Sequence, residues 1–186
     1  MSHTIYRAND RTSISWASGT STEIFIHPSD GDFVTRNFIF RISTATVEAE
    51  SSTFTFFEGI TRHLMILKGN LTLAHEGRYT KEMKPFDQDT FSGEWPTTSV
   101  GKVTDFNLML KHGATGSLAH QHLIAHEQIE HHSHAQRKFV YVAAGQLRFH
   151  NEILEAGDLL AYDKAEIELK ANLESDLIFI EVNLPE

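Results

Sequence analysis

Two cations occupy equivalent places in an internal repeat. Arg62 lies seven residues before Gly69, and Lys138 lies seven before Gly145. The segments Arg62-His-Leu-Met-Ile-Leu-Lys-Gly69-Asn-Leu-Thr-Leu73 and Lys138-Phe-Val-Tyr-Val-Ala-Ala-Gly145-Gln-Leu-Arg-Phe149 align at a constant offset of 76. A guanidinium is planar, permanently charged and bidentate toward carboxylates, so an inward Arg62 is chemistry for an organic anion. A second chemistry is offered by the histidines. The chain has 12, and seven of them lie between His112 and His134. His132 and His134 share strand parity, and imidazoles at i and i+2 can hold one divalent metal. The alternative for the whole His112–His134 stretch is a solvated loop between two halves of the chain.

The strands that must position these groups are legible from alternation. In Asp105-Phe-Asn107-Leu-Met109-Leu110 the residues Asp105, Asn107 and Met109 share one face, and Phe106, Leu108 and Leu110 share the other. Arg41 and Ser43 likewise oppose Phe40 and Ile42. The Phe and Leu faces fit a dry core. The polar faces line a cavity or meet solvent.

Short apolar runs recur along the chain with Gly, Asp, Asn and Pro between them. Strands are expected at Glu23–His27, Phe33–Ala45, Thr53–Phe57, His63–Leu67, Leu71–His75 and Thr104–Lys111. Further strands are expected at Leu118–His126, Phe139–Ala143, Leu147–His150, Leu159–Tyr162, Ile167–Ala171 and Leu177–Leu184. Many short strands at regular spacing indicate an all-β sandwich or barrel. The best helical stretch is a turn or two near Ser43–Glu48. Gly at a fixed point between two strands supplies the positive φ of a tight turn. The repeat therefore divides the 186 residues into two halves, 1–112 and 113–186, with no Pro/Ser/Gly linker between them.

Bulk composition narrows the function classes. The chain carries 16 basic and 25 acidic side chains, a formal charge of −9, so its overall field repels nucleic acid and anionic membranes. It has no Cys, hence no disulfides and no thiolate chemistry. The first sixteen residues do not read as a secretory signal, and no apolar run is long enough to span a membrane. A cytoplasmic location is the expectation. The 13 Phe favour pleated, half-buried strands.

The second copy of the repeat resembles the first motif of the cupin superfamily: His132-Ser-His134, then Lys138, then Gly145 match its His-x-His, Glu and Gly spacing. Ala156-Gly157-Asp158 resembles the opening of the second cupin motif. The resemblance implies two fused cupin-like jelly-roll barrels, a bicupin, forming a single unit over 1–186. It also marks departures. Lys138 stands where the metal-binding Glu is expected, and Glu168 stands near the later His. In the first copy, Phe56 and Glu58 take the His positions and Arg62 takes the Glu position. A full positive charge among the ligands repels a metal strongly in a partly desolvated barrel.

Longer stretches resemble the HutD/Ves family of small bicupins. They are Trp16-Ala-Ser-Gly19-Thr-Ser-Thr22-Glu23-Ile24, Phe40-Arg41-Ile42-Ser43-Thr-Ala45 and Phe54-x-x-Phe57-x-Gly59-Ile-x-Arg62, and beyond these Leu67-x-Gly69, Phe91-x-Gly93-x-x-Pro96 and Asp105-Phe106-Asn107-x-Met109. The resemblance implies a non-enzymatic small-molecule-binding protein that modulates histidine utilisation, sensing a pathway acid such as urocanate or formylglutamate. It implies a pocket in the N-terminal half, with candidates Arg62, Arg41, Glu23, Thr22, Trp16, Asp105 and Asn107. Arg62 is expected to pair the ligand carboxylate, and Asn107 and Thr22 to give neutral hydrogen bonds. Glu23 and Asp105 would orient the arginines or accept a ligand N–H, and Trp16 would wall the pocket. The expected partner is a small organic acid, no cofactor is expected, and a homodimer stays open as the assembly. Two alternatives stand beside this reading: a metal-dependent cupin enzyme using His132 and His134, with adventitious divalent metal as its weaker form, and a structural or protein-interaction role.

Overall fold

The computed structural model describes residues 3–185. Its architecture is all-β, and the one helical element among the described residues is a 3-10 turn at Ala8–Asp10. The chain opens with β1 (His3–Tyr6), β2 (Ser13–Trp16), β3 (Gly19–His27), β4 (Phe40–Val47), β5 (Ser51–Thr53) and β6 (Ile60–Gly69). It continues with β7 (Leu71–His75), β8 (Tyr79–Met83), β9 (Gln88–Ser92), β10 (Thr97–Val100) and β11 (Val103–Lys111). Next come β12 (Thr115–Leu123), β13 (Gln128–His132), β14 (Arg137–Ala144) and β15 (Gln146–Phe149). The last four are β16 (Glu152–Glu155), β17 (Leu159–Tyr162), β18 (Glu166–Ala171) and β19 (Ser175–Asn183).

Two compact units result. The first, Thr12–Ala114, holds a six-stranded sheet ordered β2-β3-β4-β11-β6-β9 and a four-stranded sheet ordered β5-β10-β7-β8. Leu64, Ile66, Phe91 and Val103 from the larger sheet pack with Leu71, Leu73 and Met83 from the smaller. The second unit holds a five-stranded sheet, β1-β17-β14-β19-β12, and a four-stranded sheet, β13-β18-β15-β16. Val140, Leu160, Leu177 and Phe179 pack there with Leu147, Phe149, Ile167 and Leu169. Burying each such side chain stabilises the fold by about 1.5–3 kcal/mol relative to exposure.

The expected division at 112/113 needs correction at the N-terminus. Residues 3–11 belong with the second unit. β1 pairs antiparallel with β17, and Asp158 fastens the turn after β1. This carboxylate, 3% exposed, accepts from Arg7 Nη1 at 2.8 Å, Ala8 N at 2.9 Å and Glu155 N at 3.0 Å. The Gly157-Asp158 pair of the motif therefore works as an anchor. Asp158→Ala removes three hydrogen bonds, one of them from a charged partner, and should cost roughly 2–3 kcal/mol. A thermal melt should show the loss, and limited proteolysis should cut first in the segment before Arg11.

The repeat is realised in backbone detail. Opposite β11, Ile66 pairs with Asp105 and Lys68 with Thr104, so Leu67 is a bulge. Opposite β19, Val142 pairs with Leu177 and Ala144 with Asp176, so Ala143 is the matching bulge. Gly69 and Gly145 come next, with φ of 87° and 85°. Elsewhere the local expectations needed revision. Ser43–Val47 is strand, not a helical turn, because β4 is paired on both sides, by β3 and β11. The strand expected from Phe33 begins only at Phe40; a loop precedes it, in which Asp32 Oδ1 accepts from Thr35 N at 2.6 Å and Thr35 Oγ1 at 2.9 Å. The strand expected at Thr53–Phe57 ends at Thr53.

Candidate functional site

The site is built on one face of the six-stranded sheet. Met109 on β11 pairs with Arg41 on β4 and with Arg62 on β6. The two arginines thus share one rung with a single strand between them, about 10 Å apart at Cα. Arg41 is 5% exposed and Arg62 is 7% exposed. The next rungs on this face carry Asn107 opposite Ser43 and Leu64, then Asp105 opposite Ala45 and Ile66. Glu23 joins from β3 opposite Ser43.

Phenylalanines enclose the cations. The Arg62 guanidinium carbon lies 4.8 Å from the Phe54 ring centroid, 5.3 Å from Phe91 and 5.6 Å from Phe57. That of Arg41 lies 4.1 Å from Phe33, and Arg36 stands over Phe33 and Phe57 at 4.7 and 4.4 Å. Such contacts hold a desolvated guanidinium without using its hydrogen-bond donors. Phe33, Phe54, Phe57, Phe91 and Arg36 were missing from the expected site. The Phe-rich composition was their trace in the sequence, but it reads equally as ordinary strand core.

Hydrogen bonding is unequal between the two arginines. Arg41 Nε donates to Glu23 Oε2 and its Nη1 to Ser43 Oγ, both at 2.8 Å. Arg62 donates through Nε to Asn107 Oδ1 at 3.4 Å, its one side-chain hydrogen bond among the described residues. Burial lowers the Arg62 pKa to about 10, with Arg41 pushing the same way and Asp105 opposing. Burial also lowers that of Arg41, against Glu23. Asp105 is 4% exposed, and its Oδ1 has no hydrogen-bond partner among the described residues. Burial drives its pKa up to about 6, against Arg62 and Asn107, which favour the anion.

A carboxyl that binds its proton more tightly when folded stabilises the fold below its unfolded pKa, and that stability is lost as pH rises through the folded value. The window for Asp105 runs from 3.8 to about 6. Its full span is roughly 3 kcal/mol. Asp105→Asn should therefore remove a decline in unfolding free energy between pH 4 and 7, as monitored by urea titration.

The remaining expected residues fall elsewhere. Thr22 pairs with Thr44, which pairs with Phe106, so it lies on the opposite face; its hydroxyl meets Ser13 Oγ at 2.6 Å. Trp16 has the right parity, but its row runs through Gly19 and Val47 to Val103. Val103 is six residues from Met109, or about 20 Å along the strand. Trp16 is 40% exposed there and does not wall the arginine site. An open groove of about 410 Å³ lies on the four-stranded sheet, lined by Asn70, Thr72, Glu82, Lys84 and Asp87 among others. Its lining holds one cation, Lys84, and two carboxylates, Glu82 and Asp87, which suits an organic anion poorly.

The equivalent place in the second unit is arranged differently. Lys138, 6% exposed, pairs with Tyr162 and Glu181 and donates from Nζ to Ala135 O at 2.8 Å. His131 stacks on Phe179 at 3.9 Å and meets Tyr162 Oη through Nδ1 at 3.0 Å. His132 lies on the outer face of β13, with its side chain 64% exposed, and His134 is exposed in the next loop. The cluster of metal-type donors that includes His132 is Glu130, His132 and Glu166, all exposed, and it omits His134. The metal centre of ordinary cupins does not fit either unit: an arginine holds its place in the first, and in the second a buried lysine stands inside while His132 faces outward.

Known proteins resemble this chain in sequence and in fold. The chain matches the family model described as HutD over residues 8–179. An uncharacterised 21.2 kDa protein in the hutC 3′ region of Pseudomonas putida is 31% identical over 109 residues, 56% of each chain, so the match spans about half of that relative. The structure of HutD from Pseudomonas fluorescens SBW25 superposes with a TM-score of 0.78 at 22% identity, covering 100% of both chains. A conserved protein of unknown function from Pseudomonas aeruginosa PAO1 gives 0.83 at 22% identity, covering 98% of this chain and 100% of that one. A nickel(II) complex of the bacterial pirin YhhW from Escherichia coli gives 0.75 at 14% identity, covering 100% of both chains. These likenesses establish the cupin jelly-roll fold. No helix among the described residues is long and apolar enough to cross a membrane.

Proposed function

This chain belongs to the HutD family, and from that premise we propose that its first unit binds a small organic acid and thereby modulates histidine utilisation. The observation that carries the proposal is Arg62: a buried guanidinium with one long side-chain hydrogen bond, on the same inward rung as a second arginine. Its remaining donors suit the two oxygens of a carboxylate. Glu23 holds Arg41 in place, Asn107 turns Arg62, and the four phenylalanines form an apolar wall for a carbon skeleton.

Urocanate and formylglutamate are the pathway acids that fit this chemistry. Both carry a carboxylate, and the curated relative is encoded beside hutC. The role is binding rather than catalysis, and no metal takes part. Isothermal calorimetry with urocanate, formylglutamate and glutamate tests the proposal. One-to-one binding of a pathway acid is expected. Absence of heat with all three, across pH 5 to 8, would refute it.

A further inference from the structure

We propose that Asp105 gates the arginine site by its charge, so that a carboxylate ligand enters together with one proton and Asp105 carries that proton in the complex. The gate rests on the acid-binding reading and adds its regulation. Arg41 is paired with Glu23 at 2.8 Å, and Asp105 is the carboxylate whose charge acts on Arg62. Asp89, also inward on β9 of this sheet, is held by His75 at 3.0 Å, and Arg36 adds its positive charge beside Arg41. Arg41, Glu23, Arg62 and Asp105 cancel formally among themselves. With Asp105 ionised, an incoming anion gains little; with Asp105 neutral, the charge of Arg62 is left for the ligand.

The geometry gives Asp105 the means to do this. It is 4% exposed, and Oδ1 lacks a hydrogen-bond partner among the described residues. A buried carboxylate normally accepts several hydrogen bonds, and one left short favours the protonated form. On the opposing sheet Ser99, inward on β10 and 2% exposed, likewise has a buried hydroxyl without a partner among the described residues. Placing a ligand carboxylate on Arg62 puts a second anion beside Asp105 in a low-dielectric interior. Two carboxylates sharing such a site do not both stay ionised. The balance is one ligand anion and one solvent proton bound, with no bond broken in the ligand. The Asp105 pKa of about 6 in the free protein makes the uptake inexpensive near neutrality.

The other ionisable groups facing this interior are few. Arg41, Glu23 and Arg62 lie on neighbouring strands of the same sheet. Asp89 on β9 meets His75 of β7 at 3.0 Å, with Tyr79 and Lys81 on its other side. His75 and Asp89 are already paired to each other, so they serve as the control for any titration from the barrel interior.

Calorimetry with formylglutamate, whose carboxyls titrate below about 5, tests the gate. Titrations in phosphate and in Tris, which differ in ionisation heat, count the protons. Wild type should take up nearly one proton per ligand at pH 7, and Kd should rise about tenfold per pH unit above 6. Asp105→Asn, an uncharged isostere, should bind at pH 8 as wild type binds at pH 5.5, with no slope and no uptake. His75→Gln should keep the wild-type slope. Wild-type binding without proton uptake overturns the gate and leaves the acid-binding reading standing, and this arm needs no variant to fold. A slope retained in Asp105→Asn also overturns it. Absence of formylglutamate binding at every pH, with urocanate and glutamate equally inert, overturns both.

Discussion

Arg62→Ala is expected to weaken binding of the acid by about a hundredfold or more, and to destabilise the protein even without ligand. Removing one partner of a buried, hydrogen-bonded charge pair costs about 2–5 kcal/mol in affinity, much of it from the charge left unpaired. No neighbour can replace the lost fork, since Arg41 is committed to Glu23 and Ser43. Arg62→Lys should recover little, because an ammonium on a flexible stem lacks the planar fork and stacks less well on the three rings. The effect on stability has a separate cause. Asp105, 4% exposed in the wild type, would lose its counter-charge, at a cost of roughly 2–4 kcal/mol at pH 8. The double variant Arg62→Met, Asp105→Asn removes both charges and should regain most of that stability while still failing to bind. Denaturant unfolding and calorimetry on the three variants separate the two losses. Tight binding by Arg62→Ala would move the ligand away from the arginine rung.

Gly69→Ala and Gly145→Ala should each destabilise the fold by roughly 3–5 kcal/mol, combining left-handed backbone with steric overlap. A Cβ on Gly69 would sit 2.3 Å from Lys102 O, and one on Gly145 would sit 2.3 Å from Glu174 O and 2.2 Å from Ser175 Oγ. Both obstacles include backbone at the start of the next paired strand, β11 or β19, which cannot move without disturbing the bulge beside it. Gly59 and Gly77 provide the comparison: φ is 66° and 71°, but a Cβ there meets nothing within 4 Å. Alanine at those sites should cost only about 1–2 kcal/mol. Equal losses at all four positions by urea unfolding would show that backbone strain alone, and not the close approach, accounts for the glycines.

The residues of the site differed in how far their alternation could locate them. Arg41, Ser43, Asp105, Asn107 and Met109 were legible because strand parity is local: the chain itself decides which side chains share a face. Thr22 fails by that same local parity: it adjoins Glu23 in β3, ahead of the bulge between Glu23 and Phe25, and so lies on the opposite face. Trp16 was misplaced because its position depends on pairing across strands. Trp16 kept the right face but lies about 20 Å along the strand from the arginines, a distance that parity does not encode. The phenylalanine wall was hidden for another reason. Phe33 and Phe57 lie outside the strands, and only folding of those loops sets their rings against Arg36, Arg41 and Arg62.

The paired glycines, the 76-residue offset and the cation before each glycine are properties of the sequence by itself. They divided the chain into two halves, the recurring short apolar runs made it all-β, and the resemblance to cupins implied jelly-roll units with charge where a metal-binding carboxylate is expected. Tertiary structure decided what each cation became. Arg62 is left with one long side-chain hydrogen bond and three aromatic rings around it, whereas Lys138 is capped by the Ala135 carbonyl. It also sent His132 to the outer face of β13 and gathered residues 3–11 into the second unit. The reason is physical: parity and turn chemistry act within a few residues. Desolvation, register and the counter-charge available to a buried ion depend on strands far apart in the chain.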